Sequence, residues 1–62
     1  MTNATVRTVR FAAKSRRGEY WVVEVEGRFA VGLVRKGRIL IDGCERFADD
    51  VDALCLAMER AA

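Results

Sequence analysis

The fold is decided by residues 19–35, which have the sequence EYWVVEVEGRFAVGLVR. Aromatic and β-branched residues are frequent on both sides of residues 26–28, a composition typical of β-strands. Gly27 supplies a turn signal between the two runs. The segment therefore predicts an antiparallel hairpin with strands over roughly Glu19–Glu26 and Phe29–Arg35.

The register of this hairpin follows from the residues that share a face. A two-residue loop would place Val25 opposite Arg28, so we predict a three-residue loop at 26–28. That loop collects the large apolar residues on one face, in the pairs Val25–Phe29, Val23–Val31 and Trp21–Leu33. Trp21 is then a core residue, and Tyr20 points to the opposite, open face of the sheet.

Two further strands flank the hairpin. Val6–Lys14 alternates in polarity and predicts a first strand, with Arg10 and Lys14 on the same face as Tyr20. The dipeptide Lys36-Gly37 is typical of a type I′ turn. It is followed by Arg38–Ile41, which is apolar on both faces and predicts a short fourth strand.

A helix follows at the end of the chain. Asp49 is the predicted N-cap, and Asp52 completes a capping box. The acidic residues of the first turn suit the helix dipole, an explanation we favour over a metal site. An apolar stripe at helical spacing is predicted to face the sheet; its members are Val51, Leu54, Cys55 and Met58. The fold class is thus α+β: an antiparallel meander of three to four strands with one C-terminal helix packed on one face, in a single domain over residues 1–62.

Length and composition exclude several classes of protein. The chain has 62 residues, two cysteines and no histidine. Catalysis or metal binding through histidine is excluded, and we expect no enzyme activity, no metal and no cofactor. The longest apolar run falls short of the roughly 20 residues that a membrane span needs. The polar start Met1–Thr5 is unlike a signal peptide, and Cys44 and Cys55 are too few for a disulfide scaffold, so we expect a cytoplasmic protein with free thiols.

The charge is unevenly distributed. The net charge is +2, but residues 1–38 carry nine basic and three acidic side chains, whereas residues 39–62 carry two basic and six acidic ones. In an antiparallel meander the first and third turns lie at the same end of the sheet, so two basic turns converge there. Such an end suits a polyanion. The candidate nucleic-acid-binding residues are the cations of this region and one aromatic ring: Arg10, Lys14, Arg16, Arg17, Tyr20, Arg35, Lys36 and Arg38.

The chain resembles two groups of small proteins, the first of them over roughly residues 16–61. The Trp-bearing segment Glu19–Val23, with Phe47 and Ala53 at the helix entry, resembles the three-strand-plus-helix DNA-binding domains of plant ethylene-response factors and the arm-binding domains of phage integrases. That resemblance implies strands that enter the major groove with the helix packed behind them. The pair Gly43-Cys44 before the helix resembles the antitoxin half of Hic toxin–antitoxin pairs.

Two functions are therefore weighed. The first is a non-enzymatic module that binds nucleic acid through the basic end of the sheet. The alternative is a protein-interaction module, such as a small bacterial or phage regulator or inhibitor that acts on a protein partner. In either case the small core and the apolar segment 39–41 predict a homodimer.

Overall fold

Four antiparallel strands and one helix make up the computed structural model, which describes residues 5–62. The strands follow one another in the sheet in the order β1-β2-β3-β4. Their bounds are Val6–Ser15 for β1, Gly18–Val25 for β2, Arg28–Arg35 for β3 and Arg38–Ile41 for β4, and α1 spans Asp50–Ala61. The predicted α+β meander with a C-terminal helix on one face is confirmed. The polar start of the chain lies, except for Thr5, outside the described residues.

Both hairpins at β3 are closed by two-residue turns with left-handed backbone. The φ angles are 52° and 77° at Glu26-Gly27 and 49° and 76° at Lys36-Gly37. Positive φ at both central positions is typical of a type I′ turn, whose twist matches that of the flanking strands. The type I′ turn at Lys36-Gly37 is confirmed, whereas the three-residue loop predicted at 26–28 is wrong.

The shorter loop shifts the register of β2 on β3 by one residue. Val25 pairs with Arg28, and Trp21 pairs with Gly32. The shift is tolerated because β2 and β3 carry apolar residues on both faces. Neither register therefore places a polar face of one strand beside an apolar face of the other. Val23, fully buried, packs over Gly32, where an added Cβ would lie 2.6 Å from the Val23 Cγ1.

The helix covers the face of the sheet that carries Tyr20, and the predicted open-face position of Tyr20 is wrong. Tyr20 is fully buried and forms a core cluster with Val31 and Ala57. A second cluster of Val23, Val25 and Ala30 lies apart from it, with Trp21 and Ile41 packed against it. Because β2 is apolar on both faces, its sequence does not indicate which face the helix will cover.

Strand β1 does not keep the alternation that its sequence suggests. It has ten residues against the eight of β2, and the register shifts between Thr8 and Arg10 and between Phe11 and Ala13. Such β-bulges reverse the side on which later residues point. Arg10 therefore lies opposite Val22, on the helix side. Lys14 lies opposite Glu19, on the other side, so the predicted common face of Arg10 and Lys14 is wrong.

The side of the sheet without the helix is apolar rather than basic. Phe11 pairs with Trp21 there, and the two rings meet edge to face with centroids 5.5 Å apart. Phe11 is 49% exposed. The prediction that the open face of the sheet is basic is therefore wrong for the described residues. Most cations of the predicted site lie at the ends of the strands instead.

The helix begins where it is predicted but faces the sheet with other residues. Asp49 is the N-cap, although its side chain makes no capping hydrogen bond. The buried residues are Ala53 and Ala57, whereas Val51 is 55% exposed and Met58 52% exposed. The predicted stripe is wrong for Val51, Cys55 and Met58, which are exposed, whereas its fourth member, Leu54, is half-buried. Small residues face inward because Tyr20 and Val31 already fill the space above the sheet, and alanines allow a close approach.

The helix orientation predicts opposite effects for two neighbouring residues. Ala57→Leu should lower the free energy of unfolding by about 1–3 kcal/mol, because a larger side chain overpacks the cluster with Tyr20. Met58→Ala should change it by less than about 0.5 kcal/mol, because this side chain is half exposed. Urea unfolding followed by circular dichroism measures both. If Met58→Ala were more destabilising than Ala57→Leu, the stripe predicted from the sequence would face the sheet.

Candidate anion-binding site

The first and third turns meet at one end of the sheet, as the meander predicts. They line one open cavity of about 500 Å³, formed by residues 14–19 and 34–37, which we call the basic cleft. Five cations line it, three in or beside the β1–β2 turn and two in or beside the β3–β4 turn: Lys14, Arg16, Arg17, Arg35 and Lys36. Residues distant in sequence thus contribute to one positively charged surface.

Gly18 allows the two turns to come this close. Its φ is +144°, and an added Cβ would lie 2.5 Å from the carbonyl oxygen of Val34 and 2.8 Å from Cγ of Arg35. No L-amino acid with a side chain fits there without displacing the end of β3. The β1–β2 turn therefore packs directly against the strand that carries Arg35.

Ser15 fixes the conformation of the turn that carries Arg16 and Arg17. Its Oγ donates a hydrogen bond to the carbonyl oxygen of Gly18 and accepts one from the backbone N–H of Arg17, each at 3.2 Å. A serine hydroxyl commonly stabilises a turn in this way. The backbone that positions the two arginines is held in place, while their side chains remain exposed.

The cations of the basic cleft have no intramolecular counter-ions among the described residues. The three ion pairs found within residues 5–62 involve Arg7 and Arg60 instead. Glu19, the one acidic residue of the cleft, accepts a hydrogen bond from Nε1 of Trp21 at 3.1 Å. The cleft thus carries five positive charges and one negative charge. The positive charges repel one another, and an anion bound among them relieves that repulsion.

Three of the predicted site residues lie outside the basic cleft. Tyr20 is buried beneath α1, so its ring is closed to a base or a partner. Arg10 is exposed on β1, and Arg38 is exposed at the start of β4. Gly18, Ser15 and Glu19 also line the cleft, although they were not predicted from the sequence as site residues. Ser15 and Gly18 flank two arginines and are typical turn residues, so the sequence does indicate a turn there. Nothing in the sequence indicates that Glu19 lies in the cleft.

A smaller cleft of about 270 Å³ lies on the other side of the β1–β2 turn. Ser15, Arg16 and Arg17 line it together with Arg60 and the last two residues of the chain. Because Arg16 and Arg17 line both clefts, the positively charged surface continues from the basic cleft towards the C-terminal end of α1.

Arg60 is already engaged by the loop after β4. Its Nη2 lies 2.6 Å from Oε2 of Glu45, and its Nη1 donates to the carbonyl oxygen of Asp42 and lies 3.5 Å from Oδ2 of the same residue. The hydrogen bond from Arg60 holds the pKa of Glu45 below its ordinary value of 4.5, and the same bond raises the pKa of Arg60. These contacts tie the last turn of α1 to the loop.

The lowered pKa of Glu45 predicts a pH dependence. The carboxylate stabilises the fold only when it is ionised, so its contribution is complete above pH 4.5 and is lost as the pH falls through the lowered pKa. Glu45→Gln removes this contribution. The difference in unfolding free energy between the wild type and this variant should be larger at neutral pH than in acid, as measured by urea unfolding at several pH values. An equal difference at every pH would contradict the assignment.

No group of three or more acidic or cysteine side chains within residues 5–62 is arranged to hold a metal ion. In the same part of the chain, α1 is too short to cross a membrane. Comparison of the chain with protein-family models, with curated proteins and with solved structures found no match.

Proposed function

We propose that this protein is a non-enzymatic module that binds nucleic acid by its phosphate backbone in the basic cleft. The observation that carries the proposal is the convergence of cations from two separate turns on one open cavity, with no ion-pair partner among the described residues. Nucleic acids offer the matching chemistry, because their phosphates form a regular row of negative charges.

The kinds of cation present suit phosphodiesters. Three of the five are arginines, whose planar guanidinium group can donate two hydrogen bonds to one phosphate. The cleft is open rather than enclosed, so a chain-like polyanion can pass across it.

The lining of the cleft also bears on sequence preference. No aromatic side chain of the described residues lines it: Tyr20 is buried, and the indole of Trp21 bonds to Glu19. Stacking on bases is therefore not part of the proposal. Contacts to phosphates alone position a protein without specifying a sequence, so we expect weak dependence on base composition.

The test is a fluorescence anisotropy titration of labelled mixed-sequence DNA, both duplex and single-stranded, between about 50 and 200 mM salt. Five phosphate contacts give a slope of log K against log salt concentration of about −4.5 for duplex DNA, and fewer contacts give a proportionally smaller slope. Binding with a clear negative slope supports the proposal. No binding at the lowest salt concentration, with a folded protein, would refute it.

The second candidate function is binding of a protein partner, and one observation favours it. Val51, Cys55 and Met58 form an exposed apolar row on α1, spaced one turn apart and directed away from the core. A helix with an exposed apolar row can bind in a hydrophobic groove of a partner protein. If DNA fails to bind in the titration above, this helix surface becomes the leading candidate.

A further inference from the structure

Strand β4 is an edge strand whose outer side has no partner within residues 5–62. It pairs with β3 alone, and α1 packs on β1, β2 and β3. Ile39 is 39% exposed and Leu40 is 56% exposed, although they point to opposite faces. An exposed edge that is apolar on both faces favours pairing with another strand.

The ladder with β3 determines which backbone groups are free to make that pairing. Arg38 pairs with Arg35 across the two-residue turn, and the N–H of Asp42 donates to the carbonyl oxygen of Val31 at 2.9 Å. Because the direction of the backbone groups alternates, residues 38, 40 and 42 bond to β3, whereas Ile39 and Ile41 direct their N–H and C=O groups outwards.

We propose that the partner of β4 is a second copy of this chain, paired antiparallel with Leu40 opposite Leu40 of the second copy. In this register Ile39 lies opposite Ile41 of the other copy, twice, and the outward groups form four backbone hydrogen bonds. A shift of two residues in either direction would leave one isoleucine opposite Gly37 or Gly43. The two sheets then form one continuous sheet of eight strands.

Charge complementarity argues for a second copy rather than an unrelated strand. Arg38 and Asp42 are placed symmetrically about Leu40, so the dimer puts each arginine opposite the aspartate of the other copy. Opposite charges across a strand pair are stabilising, and like charges are destabilising. Asp42 remains accessible for this contact, since its side chain is 35% exposed beside Arg60.

The course of the surrounding chain limits the length of the pairing. After Asp42 the chain departs from the ladder and returns only at Phe47, which bonds to Phe29. In the proposed register, the residues after Asp42 lie opposite the Lys36-Gly37 turn of the other copy, where that chain leaves β4. The ladder between the copies is therefore short and ends before either loop is reached.

Disulfide trapping tests both the dimer and its register. Leu40→Cys is introduced together with Cys44→Ser and Cys55→Ser, because both native thiols are exposed. In a non-hydrogen-bonded pair the two Cα atoms lie about 4.5 Å apart, within disulfide range. Oxidation should give a covalent dimer. Ile39→Cys in the same background is the matched control, because the two copies of this residue lie about 8 Å apart, too far for a disulfide.

The solution mass gives an independent test. Sedimentation equilibrium should find twice the 6.9 kDa mass of the chain at high concentration. Leu40→Lys places like charges opposite each other and should weaken the dimer at least tenfold, whereas Val51→Lys, at a residue of matching exposure, should not. Three results would each overturn the proposal: a wild type that is monomeric at every concentration, trapping at residue 39 but not 40, or a dimer lost with Val51→Lys alone.

Discussion

The double variant Arg17→Glu/Arg35→Glu is expected to bind DNA at least about tenfold more weakly than the wild type, and to lose about two units of the salt slope. One arginine comes from each turn of the basic cleft. If both turns hold the same polyanion, each single variant should account for part of the loss. The anisotropy titration measures affinity and slope for all three variants.

A control variant distinguishes the contribution of the basic cleft to DNA affinity from that of the net charge of the protein. Arg28→Glu/Arg46→Glu makes the same change in net charge on exposed residues away from the basic cleft, since Arg28 closes the β2–β3 hairpin and Arg46 precedes Phe47, which pairs with Phe29. This variant should keep most of the affinity. An equal loss in both double variants would mean that overall charge, rather than the basic cleft, determines binding.

Tyr20→Ala should have the largest effect on stability. It empties the space beneath α1 that the ring fills against Val31 and Ala57, at a cost of about 3–5 kcal/mol. A domain of this size has a total stability of about 3–9 kcal/mol, so the variant should lose a large share of that stability and melt at a much lower temperature than the wild type. Thermal unfolding followed by circular dichroism measures the loss.

Tyr20→Phe should behave in the opposite way. The hydroxyl of Tyr20 is buried without a hydrogen-bond partner among the described residues, so its removal should leave stability unchanged or raise it by about 1 kcal/mol. DNA affinity should not change, because the ring does not reach the basic cleft. If instead Tyr20→Ala melted like the wild type, the ring would lie on an open face and the helix would cover the other one.

The turns of this fold could be predicted better than its faces. Gly27 and Gly37 indicate the hairpins, and each bound of the four strands lies within one residue of its predicted position. The faces were missed for a physical reason: β2 is apolar on both sides, and the residues of α1 that bury best are its smallest, Ala53 and Ala57. Hydrophobic periodicity weighs large residues most and so selected the exposed row of the helix.

The convergence of the two basic turns could be predicted because it depends on topology alone. Any antiparallel meander places its first and third turns at the same end of the sheet. The placement of Arg10 and Lys14 could not be predicted, because the β-bulges of β1 leave no mark in the sequence that distinguishes them from regular strand. The close approach at Gly18 required coordinates as well, since it depends on where β3 ends.

The most direct test of the central claim, that the two turns form one anion-binding site, is a titration of ¹⁵N-labelled protein with single-stranded DNA followed by amide chemical shifts. We expect the largest shift changes to fall together in residues 14–19 and 34–37, and to diminish as salt is added. Changes confined to one of the two turns, or centred on the exposed row of Val51, Cys55 and Met58, would contradict it.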